Sequence, residues 1–147
     1  MNDIDEFYPQ ISYALLGCQL VEQELKLYIS EALDYVKKCI GARLPFKMRG
    51  QDYEDSSLER LIAIFSKLTD NDSLVNELNR FKLERNFLSH KGIAHCLDPL
   101  GDLGEISTAE FMPRLRAIQL EAQRLRSSIH DSGNSFRAYL YFGNPPK

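Results

Sequence analysis

Apolar side chains recur every three or four residues over long parts of the chain, which is the pattern of amphipathic α-helices. The first predicted helix begins near Pro9 and ends at Gly41, and its apolar stripe consists of Ile11, Leu15, Cys18, Leu25, Ile29, Ala32, Val36 and Ile40. About 32 residues at 1.5 Å per residue give a length of about 48 Å, so this helix needs partners along both halves. Gly17 in its interior indicates that another helix passes close by.

Two shorter helices are predicted in the middle of the chain. Residues 42–55 show no helical period and should form a long loop. The sequence Ser56-Ser57-Leu58-Glu59 then fits a capping box at the start of a short second helix. A turn at Asn71-Asp72-Ser73 provides an N-cap for a third helix, which should run to about Lys91 and end at Gly92.

A fourth helix is predicted after a second long loop at residues 93–107. Its start is indicated by a capping box at Ser107-Thr108-Ala109-Glu110. Its apolar stripe consists of Phe111, Leu115, Ile118, Ala122, Leu125 and Ile129. Pro113 predicts a kink or a later start, because proline inside a helix removes a backbone hydrogen bond.

The pattern as a whole indicates an all-α protein. No strand-like alternation of useful length occurs, and segment 136–142 is aromatic enough that it should dock on the helices. A length of 147 residues is typical of one domain. We therefore expect a single domain over residues 1–147, an antiparallel four-helix bundle with a docked aromatic C-terminal segment.

Composition restricts the class of protein. With 44% hydrophobic and 27% charged residues and no apolar run of about 20, we expect a soluble protein without a membrane partner. The acidic start lacks a signal-peptide pattern, which predicts a cytoplasmic location. The three cysteines and three histidines fit neither a disulfide framework nor a zinc site, so no metal and no cofactor are expected. Residues 80–147 carry 10 basic and 7 acidic side chains, which allows a polyanionic partner despite the net charge of −3.

The third predicted helix carries a charge on its apolar side. On a helical wheel with Leu74 at 0°, the stripe lies within about 40° of zero and consists of Leu74, Leu78, Phe81 and Leu88. Arg85 lies at about 20°, inside that stripe. A guanidinium there needs an anionic partner, because it keeps its proton and its burial is costly. The partner is either a carboxylate of the first helix, Glu22 or Glu24, or a ligand phosphate.

His90 lies about 140° around this helix from Arg85 and about 7.5 Å further along it. In one straight helix the two side chains cannot hold the same group. They can converge if the helix unwinds before Gly92, or if a two-fold axis brings the same helix of a second chain alongside. Leu83 and Phe87 give the helix a second apolar side, so we expect a homodimer formed through the third helix.

The motif Arg85-x4-His90, with Asn86 directly after the arginine and in the third helix of an all-α chain, resembles the R-x4-6-H signature of HEPN domains. The resemblance implies a metal-independent endoribonuclease of toxin or antiviral-defence type, with a composite site at a homodimer interface. It implies that Arg85 stabilises transition-state charge, that His90 transfers protons, and that Asn86 positions one or both. RNA is then the substrate, and a cognate antitoxin protein is a further expected partner.

Substrate binding would use the basic residues nearest the motif, which are Arg80, Lys82 and Lys91, with the loop cations Arg43, Lys47 and Arg49 as an extension. Some members of the family carry a tyrosine two residues after the histidine as a modification target. Gly92 holds that position here, so this route of neutralisation is not expected. The alternative is a catalytically inert HEPN-like dimerisation or RNA-binding module, in which Arg85 and His90 form a buried polar contact.

Overall fold

The computed structural model describes the backbone of residues 3–92 and 108–143 and the side chains of residues 6–90 and 111–143. Within these ranges the chain is all-helical, as predicted. The five α-helices are α1 (Asp3–Ile40), α2 (Leu58–Ser66), α3 (Asp72–Phe87), α4 (Thr108–Ser132) and α5 (Asn134–Phe142). A short 3-10 helix lies at Gly50–Tyr53, and a π-helical turn at Leu88–Gly92 continues α3. The predicted loop 93–107 lies outside the described residues.

The first helix is longer than the sequence pattern predicts. It begins at Asp3, so the prediction that Pro9 occupies its first turn is wrong, and Pro9 lies inside the helix. The added residues bury Phe7, whose ring packs edge-on against Phe111 of α4 with 5.4 Å between centroids. Burial of an aromatic ring contributes on the order of 2 kcal/mol, which helps to offset the hydrogen bond that proline removes. The helix ends as predicted, since Gly41 follows it at a φ of 62°, which favours glycine.

The core lies chiefly between α1 and α4, the two longest helices. All six residues of the predicted α4 stripe are buried: Phe111, Leu115, Ile118, Ala122, Leu125 and Ile129. The close passage predicted at Gly17 is also confirmed, because a Cβ built there would lie 3.0 Å from the Cβ of Ala122. Glycine at this point lets the two helix backbones approach each other.

Side-chain caps set the starts of α2 and α3. The Ser57 hydroxyl accepts a hydrogen bond from the backbone N–H of Arg60 at 3.3 Å, so the N-cap is the second serine of the predicted capping box. The Asn71 side chain accepts from the backbone N–H of Leu74 at 3.1 Å and starts α3 one residue earlier than predicted. Each such cap stabilises a helix by about 1 kcal/mol.

α4 begins at Thr108 with Pro113 inside it, so of the two alternatives predicted for this proline, a kink or a later start, the later start is wrong. The buried side chains of Phe111 and Leu115 on either side of this proline fix the first turns against the core. The Ser107 end of the predicted capping box lies outside the described residues.

The aromatic tail docks as predicted and forms α5. Phe136 packs against Tyr28 at 5.0 Å and Tyr35 at 5.9 Å between ring centroids. Arg137 donates from Nε to both carboxylate oxygens of Glu31, at 3.2 and 3.0 Å, and Glu31 is only 5% exposed. Aromatic packing and a buried ion pair therefore hold α5 on α1. Of the helices that the structure describes, none is both long and apolar enough to cross a membrane.

Candidate functional site

The backbone changes its hydrogen-bonding pattern inside the predicted motif. α3 keeps α-helical geometry to Phe87, and the following turn, Leu88–Gly92, is π-helical. A π turn bonds residue i to i+5, so it rotates the chain less per residue than an α turn. His90 is therefore closer to Arg85 around the helix axis than the 140° of a straight helix. Leu88 remains buried at the start of this turn and fixes it to the core.

Arg85 pairs with the first helix. Its guanidinium Nη2 lies 3.5 Å from Oε1 of Glu22, so of the two carboxylates considered from the sequence, Glu22 is the partner. The Arg85 side chain is 39% exposed and that of Glu22 is 18% exposed. The pair is thus open to solvent on one side, and Arg85 is not sealed in the apolar stripe.

The ion pair borders a buried thiol. Burial raises the pKa of Cys18 to about 11, with the Arg85 charge lowering it and the Glu22 carboxylate raising it. At neutral pH this thiol is protonated and behaves as an apolar core side chain. Cys39 is exposed near the other end of α1.

The solvent-facing side of α3 forms a single stripe of uncharged residues. Its members are spaced by three and four residues alternately and are all exposed: Asn76, Asn79, Leu83, Asn86 and His90. On the helical wheel they lie between about 120° and 200° from Leu74, opposite the buried side. We call these five residues the α3 stripe. Two of the three predicted catalytic residues, Asn86 and His90, belong to it, whereas Arg85 faces α1.

The sequence predicts that Phe87 and Leu83 form a second apolar side of α3 for a partner chain. In the structure, Phe87 is instead covered by α4. Its ring stacks on Phe111 of α4, with 5.2 Å between centroids and an interplanar angle of 27°. The guanidinium of Arg114 covers the ring at 3.3 Å from its centroid and donates to both carboxylate oxygens of Glu84, at 2.9 and 3.1 Å. Leu83, by contrast, is 63% exposed and remains available.

Of the three predicted substrate-binding residues, Arg80 and Lys82 are not brought together. Lys82 faces α2, where its Nζ lies 4.0 Å from Oε1 of Glu59. Arg80 is exposed on the α4 side, where its charge helps to lower the pKa of Glu121. Residues two positions apart in an α-helix point about 160° away from each other, so Arg80 and Lys82 lie on different sides of α3. The side chain of Lys91 lies outside the described residues.

His130 lies away from the motif. Its Nδ1 is 3.0 Å from Oε1 of Glu24, which links the end of α4 to α1. In the part of the chain with described side chains, no group of three or more His, Cys, Asp or Glu residues could hold a metal ion. His95 and Cys96 lie outside that part.

Comparison of the chain with known proteins finds no relative. The chain matches no protein-family model, no curated protein and no solved structure.

Sequence reasoning missed three features of this region. The contact of Arg114 with Phe87 and Glu84 joins residues 27 and 30 positions apart, and no local pattern predicts it. The π turn has no sequence signal of its own. The α3 stripe could have been found, because the spacing of Asn76, Asn79 and Leu83 continues to the motif.

Proposed function

We propose that this chain is a HEPN-like, metal-independent endoribonuclease of toxin or antiviral-defence type that acts as a homodimer. α1 to α4 would form the four-helix unit, with α5 docked on it; the unit is not antiparallel as predicted, because α1 and α4 run in the same direction, with Phe7 against Phe111 and Glu24 against His130. Arg85, Asn86 and His90 would form the catalytic set. A cytoplasmic location and a cognate antitoxin belong to the same proposal.

The main support for the proposal is the arrangement of Asn86 and His90 at the C-terminal end of the α3 stripe. His90 and Asn86 are exposed side by side on the solvent face, and a π turn begins between them. Such turns are rare and occur frequently at functional sites. An exposed imidazole can accept or donate a proton, which general acid–base catalysis requires. Arg85, half-exposed one residue before Asn86, supplies the positive charge that a phosphate needs.

The spacing of the α3 stripe supports a dimer. Alternating steps of three and four residues form the seam by which two helices pack along their length. A two-fold axis through the stripe near His90 would bring both copies of His90 and Asn86 together. Leu83 is the only large apolar member, so the helix–helix contact would be polar and the dimer dependent on protein concentration.

In the proposed reaction, one His90 accepts the proton of a ribose 2′-hydroxyl, and the 2′-oxygen bonds to the adjacent phosphorus. The bond from phosphorus to the 5′-oxygen breaks, and the His90 of the second copy donates a proton to that oxygen. Arg85 would bind the non-bridging oxygens, where negative charge increases in the transition state. The products are a 2′,3′-cyclic phosphate and a 5′-hydroxyl, and no metal is needed.

A second candidate is an inert HEPN-like dimerisation or RNA-binding module. The observation that favours it is the ion pair of Arg85 with Glu22, which gives the arginine a structural partner. In this alternative Arg85 joins α3 to α1, and the α3 stripe serves only for association.

An RNA-cleavage assay in EDTA separates these candidates. The wild-type chain should yield fragments with 2′,3′-cyclic phosphate ends, and His90→Ala should reduce the rate by 100-fold or more, in the range of about 10²–10⁴ for general acid–base catalysis. His130→Ala is the matched control, since His130 is also exposed but lies away from the motif. Equal cleavage by the wild type and His90→Ala, or cleavage by neither, contradicts the nuclease. RNA binding without cleavage would favour the inert module.

A further inference from the structure

The end of α1 and the loop after it carry an unusual charge distribution. Residues 37–51 contain five basic side chains and no acidic one, and the five are Lys37, Lys38, Arg43, Lys47 and Arg49. All five are exposed. Within the described part of the chain, none of them lies within 4.0 Å of a carboxylate oxygen. We call these five residues the basic segment.

Local structure accounts for only part of this charge. Lys37 and Lys38 lie in the last turn of α1, where cations are favourable near the helix dipole. Lys38 also lies 4.9 Å from the centroid of the Tyr139 ring. The first acidic residue after the segment, Asp52, accepts a hydrogen bond from the backbone N–H of Arg49 at 3.0 Å. Among the side chains that the structure describes, none is in such a contact with Arg43 or Lys47 of the loop itself.

The loop is held at several points. Gly41 turns the chain away from α1 at a φ of 62°. Phe46, in the middle of the loop, is half-buried and packs on the core. Gly50 lies directly on α1, because a Cβ built there would overlap the side chain of Ser30. The cations are therefore presented on an anchored loop, which reduces the entropy lost on binding a partner.

The segment fits phosphates better than a lipid surface. Its exposed large apolar residues are Leu44 and Met48, at 58% and 49%, and two such side chains on a loop do not form the long apolar helix face by which interfacial segments enter a bilayer. Charge therefore dominates any contact. A flexible chain of phosphates can follow cations spread over a loop, and each phosphate neutralised releases a counterion.

We propose that the basic segment is a second RNA-binding site, remote from the Arg85–His90 site, that holds phosphates of the same substrate; this rests on the proposed function. Glu22, which marks the level of Arg85, lies 18 residues before Ile40 on α1, or about 27 Å at 1.5 Å per residue. The loop then returns along α1, because Gly50 lies on Ser30, only about 12 Å along the helix from Glu22. An RNA of about 15 nucleotides can therefore reach both sites, whereas a dinucleotide, with a single phosphodiester, reaches only one.

Binding to single-stranded RNA of about 15 nucleotides tests the segment directly. All proteins carry His90→Ala, so that the RNA stays intact, and affinity is measured by fluorescence anisotropy over a range of salt concentrations. Each phosphate contact contributes about 0.7 to the slope of log K against log salt, or about a five-fold change at 0.1 M. Arg43→Gln/Lys47→Gln should reduce the slope by about 1.4 and the affinity at 0.1 M by about 25-fold.

The matched control is Lys67→Gln/Arg116→Gln, which removes the same charge from exposed positions on α2's end and α4. Equal affinities and slopes for the two double variants overturn the proposal. So does a loss that appears only with vesicles of anionic lipid and not with RNA. Circular dichroism of each variant confirms that the helices are retained.

A cleavage assay with the His90-containing proteins distinguishes this inference from the function itself. Arg43→Gln/Lys47→Gln should raise KM for an RNA of about 15 nucleotides and leave it unchanged for a dinucleotide, which has no second phosphate to place on the segment. An equal rise for both lengths contradicts a remote site. RNA binding that depends on Arg43 and Lys47 without any cleavage supports the binding site and rejects the nuclease.

Discussion

Replacing Glu22 with glutamine separates the structural and catalytic roles of Arg85. The carboxylate lies 3.5 Å from the guanidinium and holds it against α1. Glutamine keeps the shape and hydrogen-bonding capacity of the side chain and removes only its charge. If Arg85 binds a phosphate during catalysis, Glu22 competes for it and also repels the incoming RNA.

The size of the effect follows from the geometry of the pair. Two unit charges 3.5 Å apart attract by about 4.7 kcal/mol at an effective dielectric constant of 20. Because the Arg85 side chain is 39% exposed, solvent screening reduces the net contribution to about 1 kcal/mol or less. Glu22→Gln should therefore lower the Tm by only about 2–4 °C. Release of Arg85 should raise kcat/KM for RNA by up to about five-fold, the equivalent of 1 kcal/mol.

Thermal unfolding measures the change in Tm, and RNA cleavage in EDTA measures the change in kcat/KM. Glu24→Gln is the control, because Glu24 is two residues away, is 16% exposed and also contacts a side chain of another helix, with its Oε1 3.0 Å from Nδ1 of His130. It should lose a similar amount of stability without any gain in cleavage. A Glu22→Gln protein that loses several kcal/mol of stability, or that cleaves RNA more slowly than the wild type, would refute the reasoning and favour a structural Arg85.

Three further predictions concern the fold. Gly17→Leu forces a side chain against Ala122 and should lower the free energy of unfolding in urea by about 1–3 kcal/mol; an unchanged midpoint would contradict the close helix contact. Arg137→Met leaves the Glu31 carboxylate buried and unpaired and should cost about 3–5 kcal/mol, most of which Glu31→Met/Arg137→Met should restore. Burial raises the pKa of Cys18 from 9.0 to about 11, so the unfolded chain loses that proton first and the free energy of unfolding falls as pH rises through this window. Cys18→Ala should remove a decrease of about 3 kcal/mol in the free energy of unfolding, and the same dependence on pH in both proteins would refute the prediction.

Much of the fold could be predicted because burial follows helical periodicity. The α4 stripe and the close approach at Gly17 depend only on which side of a helix is apolar. Pro9 and Pro113 were misjudged for a physical reason. Their effect on the helix ends depends on whether neighbouring side chains such as Phe7 reach the core, and that is a tertiary contact.

The candidate site was harder to predict because a helical wheel shows in which direction a side chain points and not which residues of other helices it meets. Arg85 and Phe87 both point in the directions that the helical wheel predicts. The wheel does not show that Glu22 pairs with Arg85. Nor does it show that Phe111 and Arg114 cover Phe87. Arg80 and Lys82 are close in sequence but lie on different sides of α3, so their closeness in sequence does not mean that they can bind one substrate together.

The π turn at Leu88–Gly92 also bears on how the motif tolerates changes in length. A turn that closes at i+5 holds one more residue than an α turn, so an inserted residue can be absorbed there without moving Leu88 out of the core. Insertion or deletion of one residue between Leu88 and His90 should therefore change the direction of the imidazole and leave the helical core in place.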